Sequence, residues 1–199
     1  MTGEPLDAAF RTDAAVLDGL HDDLTARAAA AGLLDVAFRT VDGPLGELLV
    51  AVTPTGLVRV AFEREGHDAA LDELARQLGP RILHDRRRLD PVATELDEYF
   101  TGKRRHFDVP VDLSLARGFR HDVLEQLRTI PFGATASYAE IARAAGSARA
   151  VRATGTACAT NPVPVVVPCH RVVRSDGALG NYRGGPAAKR WLLDLEAAA

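Results

Sequence analysis

Three short β-forming runs joined by two tight turns, between residues 36 and 62, constrain this chain most. Val36-Ala37-Phe38-Arg39-Thr40-Val41 is rich in β-branched and aromatic residues and ends at the turn Asp42-Gly43-Pro44. Residues 45–52 form a second run, closed by Thr53-Pro54-Thr55-Gly56, and residues 57–62 form a third. Connections this short allow only antiparallel neighbours, because a parallel pair needs a crossover of a dozen residues or more. The expectation is a three-stranded antiparallel meander. Helical spacing follows at residues 69–78, stopped by Gly79-Pro80, and at residues 91–100, where Leu96, Tyr99 and Phe100 share a side. This stretch holds no cluster of catalytic residue types.

The rest of the chain lacks strand signals of that strength. Residues 7–33 place Val16, Leu17, Leu20 and Leu24 at helical spacing, which predicts an amphipathic helix that serves as a packing extension or an arm. Asp108-Val109-Pro110-Val111-Asp112-Leu113 is a connector. Val123, Leu124, Leu127 and Ile130 then mark a helix closed by Pro131-Phe132-Gly133. Ser137-Tyr138-Ala139-Glu140 is a capping box, and its helix stops at Gly146. Ser147 is expected to cap a second helix over residues 148–159, so the pair forms a helix-turn-helix. The predicted organisation is α+β: an extension over 1–33, a sheet-bearing domain over 34–112 and a mostly helical domain over 113–199.

The second of those helices carries Arg149, Arg152, Ala153 and Thr156 among small residues, with the arginines and Thr156 on one face. Small side chains permit close approach to a DNA groove or to a neighbouring helix. Gly155 inside it costs about 1 kcal/mol against Ala, a sign of close approach to something. Net charge is -3, which does not advertise a nucleic-acid binder, but the charge is uneven. Between residues 147 and 190 the basic residues are Arg149, Arg152, Arg171, Arg174, Arg183, Lys189 and Arg190, against the single acid Asp176. No apolar run approaches the ~18 residues of a membrane span, and the amino terminus does not read as a secretory signal, so the chain is expected in the cytoplasm.

The two cysteines, Cys158 and Cys169, form no Cys-x-x-Cys pair, which argues against a zinc site or a disulfide framework. Cys169 ends the segment Asn161-Pro162-Val163-Pro164-Val165-Val166-Val167-Pro168-Cys169-His170. Three prolines stiffen it, and the valines are expected to be extended and buried. The thiolate is the nucleophile, and an ordinary cysteine needs a base or a cation to form it. His170 follows directly and could serve, through a water, with a carboxylate orienting it. On the dipeptide alone, a buried cysteine acting as a small apolar residue is the alternative.

Pro168-Cys169-His170-Arg171-Val172-Val173 resembles the active-site signature of the O6-alkylguanine-DNA alkyltransferases. The resemblance extends to Asn161-Pro162-Val163-Pro164, to Gly180-Asn181-Tyr182 and Gly184-Gly185, and to Trp191-Leu192-Leu193 with Glu196. Upstream, Ile130-Pro131-Phe132-Gly133, Ser137-Tyr138, residues 96–102 and Phe107-Asp108-Val109-Pro110 are similar as well, so it covers residue 35 to the end. It implies a ribonuclease H-like first domain, a winged-helix-like second domain and no cofactor. It implies single-use, irreversible repair, in which an alkyl group passes from O6 of a flipped guanine in duplex DNA to Cys169. Binding would be through the minor groove by a monomer. Activity on O4-alkylthymine and cooperative binding along DNA stay open.

The resemblance also implies roles. His170 would deprotonate Cys169 through water, Glu196 would orient His170, and Asn161 would tie the helix-turn-helix to the cysteine segment. Tyr138 would contact the flipped nucleotide, and Arg152 would fill the gap left in the duplex. Tyr182 and Pro164 would line the alkyl pocket with Gly180, the Val172 carbonyl would read the guanine edge, and the backbone at Arg183 would meet O6. Three positions depart from the family pattern: Leu124 stands where bacterial relatives have Trp, Thr160 where Gly is common, and Arg183 where some have Ser. A damage-recognition protein would lack Cys169. An alkylation-sensing regulator would need a further domain, and a cysteine hydrolase would need an oxyanion site and turnover.

Overall fold

The computed structural model describes residues 14–198. Its first sheet has four strands in the order β3-β2-β1-β4: β1 Val36–Val41, β2 Leu48–Val52, β3 Leu57–Phe62 and β4 Ile82–His84. The antiparallel meander is present, with Ala37 opposite Val52 and Leu48 opposite Phe62. The fourth strand goes beyond the expected three and makes the sheet mixed, since β4 runs parallel to β1 with Val36 opposite Ile82. Its three half-buried residues lie between Gly79-Pro80 and the charged run at Asp85–Arg88, too short a stretch to show a period.

Strands β2 and β3 are buried along their whole length because both faces of the sheet are covered. Leu49, Ala51, Val58 and Ala61 pack on Ala70 and Leu74 of helix α2, His67–Leu78. Leu48, Val50, Val60 and Phe62 face the other way, into a core shared with Leu96 and Tyr99 of α3, Asp90–Phe100. That core continues without a break through Val123, Leu124 and Leu127 of α4, Phe119–Leu127, to Val163, Val165 and Cys169. Leu124, in the position of the familiar Trp, is fully buried there.

The free edge of β3 is occupied. The N–H of Leu57 donates to Pro110 O (2.7 Å), Asp112 N–H returns to Leu57 O (2.9 Å), and Val60 N–H donates to Pro162 O (2.9 Å). The connector and the Asn-Pro segment therefore complete the edge pairing. Gly56 is required for this approach, since a Cβ there would lie 2.4 Å from Pro110 O.

The amino-terminal helix α1 spans Ala14–Ala30; the rest of the expected helix, residues 7–13, lies outside the described residues. It is held by its polar side, with His21 Nε2 bonded to the His84 carbonyl and Asp22 paired with Arg87 at 2.8 Å. Val16, Leu17, Leu20 and Leu24 are exposed.

The second half packs α4, α5 (Tyr138–Ala144) and α6 (Val151–Ala159) together, and α7 (Gly185–Ala198) lies against the cysteine turn. The Ser137 capping box forms as expected: Glu140 N–H reaches Ser137 Oγ at 3.2 Å, and the Glu140 carboxylate takes Ser137 N–H at 2.7 Å. Ser147 does not cap α6. That helix begins at Val151 with no side-chain cap, because residues 147–150 form a turn closed by Ala150 N–H to Ser147 O. Its other end is capped from α4, where Arg120 donates to Thr160 O at 2.6 Å. Thr160 has φ -109, so nothing at that position demands a glycine.

Candidate active site around Cys169

The valines before Cys169 are not extended. Val167 N–H bonds to Val163 O (2.8 Å), and Val165 takes φ 73, a left-handed conformation that costs a β-branched residue energy. Asn161 holds this compact turn: its Oδ1 accepts Val163 N–H (3.0 Å) and its Nδ2 donates to Val167 O (2.8 Å). The same Nδ2 lies 3.1 Å from Cys169 Sγ. Sitting just beyond α6, Asn161 joins the helix-turn-helix to the thiol. Cys169 and His170 open a short 3-10 turn, both fully buried, so their side chains are not forced to opposite sides as in a strand.

The geometry at His170 assigns its tautomer. Nε2 is 2.8 Å from Glu196 Oε1, and Glu196 is an acceptor, so Nε2 carries the proton. Nδ1 is buried without a partner among the described residues, which leaves its lone pair available as a base. Burial pushes His170 down in pKa, against the pull of Glu196, so the ring is neutral at rest. Glu196 accepts from Tyr99 Oη (2.5 Å), Arg171 Nε (3.0 Å) and Nη2 (2.9 Å), and Gly133 N–H (3.0 Å) in addition to His170. Despite burial, these donors hold its carboxyl down at about 2. Glu196 is thus an anion that fixes the orientation of the His170 ring.

Burial pushes the Cys169 thiol up to about 11, while the Asn161 donor and the Lys189 cation pull the other way. The resting group is a neutral thiol. Lys189, absent from the sequence-based candidates, is fully buried, and its Nζ donates to Val172 O. The Val172 carbonyl expected to read a guanine edge is therefore already engaged. Tyr99 and Arg171 were missed as site residues too; the signal for Tyr99 was a hydroxyl on an otherwise apolar helix face.

A cleft of about 460 Å³ lies between the helices and the loop before α7. Tyr138, Arg152, Gly155, Thr156, Arg174 and Gly180 line it. Arg152, Ala153 and Thr156 are exposed on α6, whereas Arg149, expected on this helix, is exposed in the turn before it because the helix starts only at Val151. Strands β5 (Ala136–Ser137) and β6 (Val172–Val173) pair in parallel, which sets Tyr138 beside the segment that follows the cysteine. A Cβ on Gly180 would lie 1.9 Å from Tyr138 Oη, so this position accepts no side chain unless Tyr138 moves. Pro164 and Tyr182 are buried, with the Tyr182 ring edge-on to His170 at 6.3 Å and to Phe62 at 5.6 Å.

Arg183 turns its side chain away from the cleft. It bonds to Glu65 (Nε–Oε2 2.6 Å), which also pairs with buried Arg59 at 3.1 Å. Phe62 and Glu65 thus hold the loop that carries Tyr182. Glu65→Ala is expected to lower folding stability by about 3 kcal/mol, since it strips Arg59 of its nearest partner. Urea denaturation measures this, and an unchanged midpoint would mean that the cluster contributes nothing.

Fold and site together define a two-part α+β protein with a base-flanked thiol next to a helix-turn-helix. Two family models match it: the ribonuclease-like domain of 6-O-methylguanine DNA methyltransferase over residues 36–113, and its DNA-binding domain over residues 118–198. The inducible methylated-DNA–protein-cysteine methyltransferase of Bacillus subtilis (strain 168) is 39% identical over 148 residues, 74% of this chain and 82% of its own. The crystal structure of Mycobacterium tuberculosis O6-methylguanine methyltransferase has a TM-score of 0.72 at 35% identity, covering 82% of this chain and 93% of that one. Mycobacterium tuberculosis OGT in complex with DNA has a TM-score of 0.70 at 34% identity, covering 81% and 93%. The chain belongs to the 6-O-methylguanine DNA methyltransferase family.

Proposed function

We propose that Cys169 is the residue that accepts the alkyl group, and that this chain repairs DNA by direct transfer of a methyl group from O6 of guanine to its own sulfur. The observation that carries the assignment is a buried thiol 3.1 Å from Asn161 Nδ2, followed by a histidine whose Nε2 is locked to Glu196 while Nδ1 is free. The thiol proton passes to His170 Nδ1 through a water. The Sγ–carbon bond forms as the carbon–O6 bond breaks, and the electron pair leaves with the guanine oxygen. Asn161 and Lys189 stabilise the sulfur anion that develops in a site with no bulk water. The product thioether has no local base that could cleave it, so each molecule acts once.

The target atom is closed off inside a stacked duplex, so the nucleotide must enter the cleft. Tyr138, Arg152 and Gly180 at its rim suit that entry, and the small, exposed residues of α6 suit a minor groove. The substrate is duplex DNA with O6-alkylguanine, met by a monomer in the cytoplasm. Among the described residues no helix is long and apolar enough to cross a membrane, and no group of three or more His, Cys, Asp or Glu could hold a metal ion.

The test mixes the protein with excess O6-methylguanine duplex and reads intact mass and peptide map. One methyl on Cys169, stopping at one per molecule, is expected. Cys169→Ala should bind the lesion and gain no methyl. A methyl found elsewhere, or repeated turnover, would overturn the assignment.

A further inference from the structure

The base that serves Cys169 is held by two halves of the chain. Glu196 comes from α7, yet the shortest contact to its Oε1 is from Tyr99 Oη on α3, part of the sheet-bearing half. The same hydroxyl oxygen lies 3.3 Å from His170 Nε2. Tyr99 is fully buried, and its ring is fixed by Phe107 at 5.0 Å, Phe100 at 5.8 Å and Phe132 at 6.0 Å. An aromatic ring alone would fill this space, so the hydroxyl is what remains to be explained.

We infer that Tyr99 is a positioning residue for the acceptor chemistry: by donating its hydroxyl proton to Glu196 Oε1, it sets how strongly that carboxylate holds His170, and hence how basic His170 is. This rests on the assignment of Cys169 and His170 made above. The physical argument is a competition for one oxygen. Oε1 also accepts from His170 Nε2 (2.8 Å) and Arg171 Nη2 (2.9 Å), and each donor drains charge that the others would use. Take the tyrosine donor away and the carboxylate pulls harder on the imidazolium form. Loss of the 3.3 Å oxygen beside Nε2 acts in the opposite direction, but through a contact much longer than the one to Glu196. The net result is a more basic His170. Among the described residues, the charged and titratable groups around this ring are Tyr99 from α3, Glu196 and Lys189 from α7, Tyr182 from the loop before α7, and Cys169 and Arg171 on either side in the chain. Only Tyr99 comes from outside the helical half.

Tyr99→Phe keeps the ring and removes the donor, so it separates packing from chemistry. Two measurements decide. Nitrogen-15 histidine NMR of the free protein, with His170 assigned against His170→Asn, follows the ring directly. Single-turnover methyl transfer from an O6-methylguanine duplex across pH follows its use. In the phenylalanine variant His170 is expected to titrate higher by up to about one pH unit, a tenfold change in proton affinity. The acid limb of the transfer rate should move the same way, because the base must be neutral to take the thiol proton. A uniform drop in rate or a lower unfolding midpoint, with His170 titration and acid limb unmoved, would reduce Tyr99 to a filler and overturn the inference. A wild-type protein that transfers nothing would instead overturn the acceptor assignment, and the NMR titration would still decide whether Tyr99 governs His170.

Discussion

Replacing Glu196 with glutamine is expected to abolish methyl transfer and to cost roughly 3–5 kcal/mol of folding stability. The carboxylate accepts from Tyr99, His170, Gly133 and two nitrogens of Arg171. An amide nitrogen at either position would face donors with another donor. Arg171, itself buried, would keep its charge and lose its counter-ion, with only neutral acceptors left, among them Ile130 O at 2.6 Å. The effect has a pH signature. The folded carboxyl sits at about 2, below its ordinary 4.5, so its stabilisation is complete above about 4.5 and disappears as pH falls through about 2. The gap in unfolding free energy between wild type and Glu196→Gln should therefore be widest near neutrality and close as the solution is acidified. Denaturant titrations at several pH values would show it, and a gap independent of pH would mean that charge is not what Glu196 supplies.

Lys189→Met should slow methyl transfer on the order of 100-fold, the usual loss when one group that stabilises developing charge is removed. Lys189 is fully buried, and among the described residues no acidic side chain pairs with it. Burial pushes its pKa down, and the two cysteines near it pull the other way. A buried cation with only a carbonyl and a tyrosine ring for company weakens the fold, so something else retains it. Methionine fills the space without charge. The variant should fold at least as firmly while its thiol becomes harder to ionise. Single-turnover transfer and the pH dependence of thiol alkylation in the free protein would measure both, and an unchanged rate would remove Lys189 from the chemistry.

The meander was legible because its turns are tight and its runs alternate with turn residues. The capping box at Ser137 was legible because side-chain spacing alone decides it. The cysteine segment could be found from its residues, but its shape could not. Three prolines and a valine run suggest extension, whereas Asn161 folds them into a turn with Val165 in a left-handed conformation. Strand β4 escaped because its pairing with β1 is decided by tertiary contact over three residues. Lys189 and Tyr99 escaped for a related reason. A lysine in a charged helix and a tyrosine on an apolar face gain their meaning only from what other elements bring beside them.

The covered edge of β3 carries a practical consequence. Three backbone bonds to Pro110, Asp112 and Pro162 close it. A fragment cut after residue 109 would carry a bare strand, apolar except for Arg59, able to recruit its own kind. Such a piece should precipitate or form ladders of identical chains, and the intact sequence is what keeps this repair protein from templating itself.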